Sequence, residues 1–206
     1  MADIQPPPAG DRASLELLQL ESDKGDGMMD AGQKPIVVVS KCLGFDVCRY
    51  DGAALEAEYM QDLAQFVHLV PVCPEVGIGL PVPRDPIWII QTNDGKRLVQ
   101  PTTNKDLTDL MTDFAERFAG ELKHVDGFIL KSRSPSCGIG DCKLFDAPSL
   151  DRQIGVADGF FAAVLQRRFP DCAFVSDKGM LDHQVRQEFL QRVFASARKR
   201  AVNSME

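Results

Sequence analysis

The chain has 206 residues, 44% hydrophobic and 26% charged, a balance that fits one soluble globular domain with a sizeable core and excludes a disordered or fibrous protein. No apolar run approaches the ~20 residues of a membrane helix. The start, Met-Ala-Asp-Ile-Gln-Pro-Pro-Pro, has neither the basic flank nor the apolar core of a secretory signal, so a cytoplasmic location is expected.

The net charge of -7 is unevenly placed. Residues 1–33 carry Asp3, Asp11, Glu16, Glu21, Asp23, Asp26 and Asp30 against only Arg12 and Lys24. With Pro6-Pro7-Pro8 and several glycines, this segment reads as a flexible N-terminal extension, although Ser14 to Leu20 has the leucines for a short helix. Residues 34–206 then form a single, nearly neutral domain whose charge neither demands nor excludes nucleic acid.

Order is expected to begin at Pro35. Ile36–Ser40 is a continuous β-branched run, the pattern of a strand buried on both faces. The loop Cys42–Gly52 follows. Ala53–Val67 has helical spacing, with Leu55, Tyr59, Leu63 and Phe66 on one face. His68–Val72 reads as a second buried strand. Four prolines and two glycines make Pro74–Pro86 an irregular loop. Ile87–Gln91 and Arg97–Gln100 flank Asn93-Asp94-Gly95-Lys96, a hairpin signal. Lys105–Leu122 is an amphipathic helix on Leu107, Leu110, Met111, Phe114 and Phe118. Val125–Leu130 is a third buried strand, Phe160–Phe169 a helix stopped by Pro170, Cys172–Val175 a short strand, and Met180–Lys199 the closing helix. The alternation predicts an α/β fold: an open, mostly parallel sheet with helices on both faces, plus a small antiparallel hairpin.

Three cysteines share one place in this scheme. Cys42 follows the first strand, Cys73 the second, and Cys137 lies in Lys131-Ser132-Arg133-Ser134-Pro135-Ser136-Cys137-Gly138 after the third. Ligands of open α/β sheets bind beyond the carboxyl ends of the strands. Three thiols at that edge, each with glycine or proline nearby, suit a metal or an iron–sulfur cluster with one open position. No pair forms CxxC, which argues against structural zinc. Cys48 and Cys142 lie in the same loops as candidates, as a fourth ligand, a redox partner or bystanders. Cys172 begins a strand at the opposite edge and reads as a buried hydrophobe.

Glu75, two residues after Cys73, suits acid/base work in a partly dry loop or, equally, a turn anchor. Ser132, Ser134 and Ser136 are placed to bond a cluster sulfur, water or substrate, or to close local turns. Asp158 before Phe160 reads as a helix N-cap. No GxGxxG or P-loop is present, so a nucleotide cofactor is not expected.

The segments Val39-Ser-Lys-Cys-Leu-Gly44, Val47-Cys-Arg-Tyr-Asp-Gly52, Pro71-Val-Cys-Pro-Glu-Val76, Gly79-Leu-Pro-Val-Pro-Arg84 and Leu130–Gly138 together resemble the thiouracil desulfidase (TudS) family, over about Lys34 to Val175. The resemblance implies a [4Fe-4S] cluster held by Cys42, Cys73 and Cys137 with the fourth iron open. It implies loss of sulfur from a thiolated pyrimidine, thiouracil to uracil plus sulfide, with Glu75 as the acid/base and Ser134 as an assisting serine. Lys41 stands where a small residue is usual, and Ala147-Pro-Ser149 replaces an expected glycine-rich stretch. Relatives acting on tRNA carry an additional domain, so a free base or nucleoside is the expected substrate. The alternatives are a non-catalytic iron–sulfur or zinc module for binding or redox sensing, and a thiol enzyme using Cys48 or Cys142.

Overall fold

A computed structural model describes residues 34–55, 58–147 and 149–203; the expected extension over residues 1–33 and its short helix lie outside the described residues. The first strand, β1 (Ile36–Ser40), has Val37, Val38 and Val39 fully buried. A strand turns successive side chains to opposite faces, so these three valines serve two cores. Val38 packs with Phe128, Leu130, Ile89 and Leu98. Val37 and Val39 pack with Ile129, Met60, Leu63 and Phe194. A sheet buried on both faces is the condition for parallel pairing.

The chain continues through α1 (Glu58–Ala64), β2 (His68–Val72), α2 (Pro74–Gly77), β3 (Trp88–Thr92), β4 (Gly95–Gln100), β5 (Lys105–Asp106), α3 (Thr108–Glu121) and β6 (Gly127–Leu130). It then runs through β7 (Cys142–Asp146), β8 (Ser149–Ala157), α4 (Phe160–Arg168), β9 (Ala173–Ser176) and α5 (His183–Asn203). One sheet has the order β2-β1-β6-β9 and is parallel throughout. The other has the order β5-β4-β3-β7-β8; β3 and β7 are parallel, and the other pairs antiparallel. Helices α3 and α4 contribute to the core that includes Val38, and α1 and α5 to the core on the opposite face. The expected α/β architecture with helices on both faces is thus observed. The expected hairpin is β3–β4, in which Thr92 pairs with Gly95, and it belongs to a five-stranded mixed sheet.

Several elements differ from the sequence reading, among them α2 (Pro74–Gly77), which takes the start of a segment expected to be an irregular loop. Strand β2 is an edge strand with only Val72 buried; Pro71, which cannot donate to a ladder, already marks an edge position. Helix α1 begins at Glu58, and after Ala64 the chain closes in tight turns, Gln65 N to Asp62 O and Phe66 N to Leu63 O. Helix α3 begins at Thr108, because the Asp106 carboxylate accepts the Thr108 N–H at 2.9 Å while Lys105–Asp106 pair with β4. Its buried positions are Thr108, Met111, Ala115 and Ala119, and Leu110 is exposed. Strands β7 and β8 fall in a segment that the periodicity left without an element.

The first strand and the last helix are tied at Asp126, which is 2% exposed. It accepts Ile36 N, Ser196 Oγ and Arg200 Nη2, each at 2.8 Å. Removing this buried carboxylate leaves its three donors without their acceptor and Arg200, whose side chain is 22% exposed, without its counter-charge, at a cost of about 1–3 kcal/mol. Asp126→Ala is therefore expected to lower the urea midpoint sharply with an unchanged m-value, since the surface exposed on unfolding stays the same.

Candidate active site

In the parallel sheet, β1 runs between β2 on one side and β6 on the other. The chain leaves β1 toward β2 and later returns to its opposite flank as β6, so the carboxyl ends of these strands open the crevice typical of a topological switch point. The strand ends are clamped there: Lys41 N donates to Val72 O at 2.8 Å, and Lys131 N donates to the Ser40 hydroxyl at 2.9 Å. A cavity of about 680 Å³ lies beyond this edge, and Cys42, Cys48, Cys73 and Cys137 all line it, with Glu75, Arg84 and Ser134. Its size is that of a small-molecule site.

Cys42, Cys73 and Cys137 are thus brought to one cavity from three strand ends. Cys48 joins them: it is buried, and the Cys73 thiol lies 3.8 Å from the Cys48 carbonyl oxygen. Cys142 is turned away into the core, its thiol donating to Ser134 O at 2.8 Å. Cys172 sits just before β9, with its thiol on Val125 O at 3.4 Å. Burial pushes the Cys42 thiol up to about 11, against the nearby Lys131 and Arg49. Burial, then the neighbouring Cys73, pushes Cys48 up to about 12. Burial also holds Cys137 well above the ordinary thiol range, although the Ser40 hydroxyl works against it. Such thiols keep their protons until a cation replaces them, so metal loading must release protons.

The donor set suits an iron–sulfur cluster: Cys42, Cys73 and Cys137 reach one cavity from three separate strand ends, and thiolates are the ligands such clusters take.

Glu75 lies in the first turn of α2, and each of its oxygens accepts a hydrogen bond. Arg84 Nε donates to its Oε2 at 2.8 Å, and the Ser136 hydroxyl donates to its Oε1 at 2.8 Å. Arg84, its side chain only 3% exposed, also donates from Nη2 to Cys48 O and from Nη1 to Pro81 O. Its backbone N–H reaches Tyr50 O. One guanidinium thus joins the loop after β1 to the loop after β2. The Ser134 oxygen accepts the Ser136 and Cys137 N–H groups at 3.3 and 3.1 Å; no described residue takes its proton. Ser132 is buried and lies beside Lys131, whose Nζ pairs with Asp177 at 2.6 Å. Burial alone would raise Asp177, but Lys131 and the Ser132 N–H outweigh it and hold it below the usual carboxylate range.

Arg84 and Ser40 were given no role in the sequence reading, and Ser136 was named only as one of three serines before Cys137. Arg84 had a signal, a cation in the proline-rich loop that also carries Glu75 nine residues before it; choosing among the serines needed the fold. Asp158, expected to cap α4, instead accepts Gly140 N at 2.7 Å. The first residues of α4 serve the cysteine loop: Gly159 N donates to Gly138 O, Phe160 N to Pro135 O and Ala162 N to Ser136 O. The positive end of the helix dipole therefore faces the loop that carries Cys137. A Cβ on Gly159 would meet the Ser136 carbonyl at 2.4 Å. Gly159→Ala is expected to cost at least the ~1–3 kcal/mol of core overpacking, because backbone cannot swing aside. A thermal melt and an iron assay check this: the midpoint and the iron content should fall together.

These features define an α/β protein with a thiol-lined, carboxylate-bearing crevice at the edge of a parallel sheet. The chain belongs to the 2-thiouracil desulfurase family, whose model matches residues 37–177. It is 32% identical over 112 residues, 51% of this chain and 74% of the relative, to the uncharacterized protein YbbK of Bacillus subtilis (strain 168). A solved structure of a [4Fe-4S]-dependent thiouracil desulfidase, TudS, is similar with a TM-score of 0.57 at 26% identity, covering 71% of this chain and 93% of that one. Among the described residues, no helix is long and apolar enough to cross a membrane.

Proposed function

We propose that this chain is a [4Fe-4S]-dependent desulfidase that removes sulfur from thiolated pyrimidines by hydrolysis, giving the oxo-pyrimidine and sulfide. The observation that carries this reading is the meeting of Cys42, Cys73 and Cys137 with Glu75 in one cavity, in a chain of the 2-thiouracil desulfurase family. In this reading the three cysteines hold the cluster. When bound, the cluster supplies a soft Lewis acid at its open iron, which prefers a thiocarbonyl to a carbonyl.

The chain's own groups do the rest. Glu75, with one oxygen on Arg84 and the other on Ser136, is oriented as an acceptor and takes the proton of the attacking water. It returns that proton to the departing sulfur, and the hydroxyl proton left on the ring carbon goes to solvent as the carbonyl forms, so sulfide leaves and no electrons are gained or lost. Arg84 fixes the carboxylate through two loops and keeps it from swinging. Ser134 lines the cavity with its hydroxyl proton uncommitted among the described residues, and this proton is offered to the substrate. A purely structural cluster site has no use for such an oriented carboxylate.

The test is to load the cluster anaerobically, supply 2-thiouracil and 4-thiouracil, and measure sulfide. Stoichiometric sulfide and uracil without added reductant support the reading. A brown, iron-replete protein that releases none with either compound sinks it in favour of a binding or redox-sensing module.

A further inference from the structure

The cavity has a second wall, built from the mixed sheet, that the chemistry above leaves unused. In β7, Leu144 enters the core while Lys143 and Phe145 line the cavity, as the two-residue period of a strand requires. In β3, Ile89 enters the core and its neighbour Trp88 lines the cavity. The Trp88 and Phe145 rings stack with centroids 4.5 Å apart at 28°. Both are half-buried, and neither belongs to the main cores. Two large aromatic rings are therefore held on the ligand side of a sheet whose other face is already packed. Phe145 supports the indole from one side, which fixes its plane at little further entropic cost.

We propose that Trp88 is the stacking platform for the substrate's pyrimidine ring and makes the site selective for planar thio-heterocycles over acyclic thioamides. This inference rests on the desulfidase reading and adds a specificity residue to it. Stacking a base on an aromatic side chain is sequence-tolerant because every base offers a π face. It acts on the bound ring before and during reaction alike, so it should appear in KM more than in kcat.

Trp88 is the chain's single tryptophan, which gives the test a direct optical readout. In the cluster-loaded enzyme, Trp88→Leu keeps apolar bulk against Phe145 but removes the π face. It is expected to raise KM for 2-thiouracil by about tenfold to a hundredfold, the usual loss when a stacking aromatic is removed, with kcat little changed. Trp88→Phe should retain most of the affinity. The preference for 2-thiouracil over thioacetamide should shrink in Trp88→Leu and persist in Trp88→Phe. In the parent enzyme, uracil added at concentrations that inhibit turnover should shift or quench the tryptophan emission. Unaltered emission at inhibiting uracil overturns the proposal even if Trp88→Leu fails to fold. So does a parental KM in a folded Trp88→Leu. Neither result touches the desulfidase reading while the parent still releases sulfide; a parent that releases none overturns both.

Discussion

Glu75→Gln is expected to keep its iron and lose turnover by about 10²–10⁴, the range for a lost general acid/base. The substitution preserves shape and the hydrogen bond that Ser136 donates to Oε1, so the loop should hold. It removes the group proposed above to take up and return the proton. It also removes the negative partner of Arg84, whose side chain is 3% exposed, so some loss of thermal stability accompanies it. Ser134→Ala should cost less, because water can replace a hydroxyl facing a cavity. Iron per chain against sulfide-release rate separates chemistry from assembly. A parental rate in iron-replete Glu75→Gln would reduce the carboxylate to a tether for Arg84.

The second large effect is all-or-none. Cys42→Ala, Cys73→Ala and Cys137→Ala are each expected to lose the cluster and with it all activity, since two thiolates do not retain a cubane. Cys142→Ala and Cys172→Ala should retain iron, because their thiols are committed to the carbonyls of Ser134 and Val125. Cys48→Ala is the informative control. Cys48 lines the same cavity and neighbours Cys73, yet the proposed three-cysteine ligation leaves it no bond to iron. Iron analysis of the six variants decides the set, and full iron retention in Cys73→Ala would overturn the assignment.

Much of this was legible in the chain because local chemistry and tertiary position agree. Ile36–Ser40 and Gly127–Leu130 are continuous apolar runs, and both are buried central strands. Placing Cys42, Cys73 and Cys137 after strands was enough to bring them to one edge. What escaped had physical reasons. In β7–β8 the alternation is blurred by register shifts around Phe145 and by Ile154 and Val156 facing solvent. The role of Leu110 was misread because α3 starts late and its buried stripe passes through small alanines. Among Ser132, Ser134 and Ser136, nothing local says which one reaches a carboxylate 61 residues away; only folding two loops together does.

The placement of the thiols at three separate strand ends also sets the order in which the protein can mature. Cys42 and Cys73 emerge early in translation, but the third thiol arrives only after α3 and β6 have been made, and its loop rests on the start of α4. A ribosome-bound chain ending before Phe160 lacks that support. In the reading proposed above, the full set of cluster ligands therefore exists only once the sheet is nearly complete.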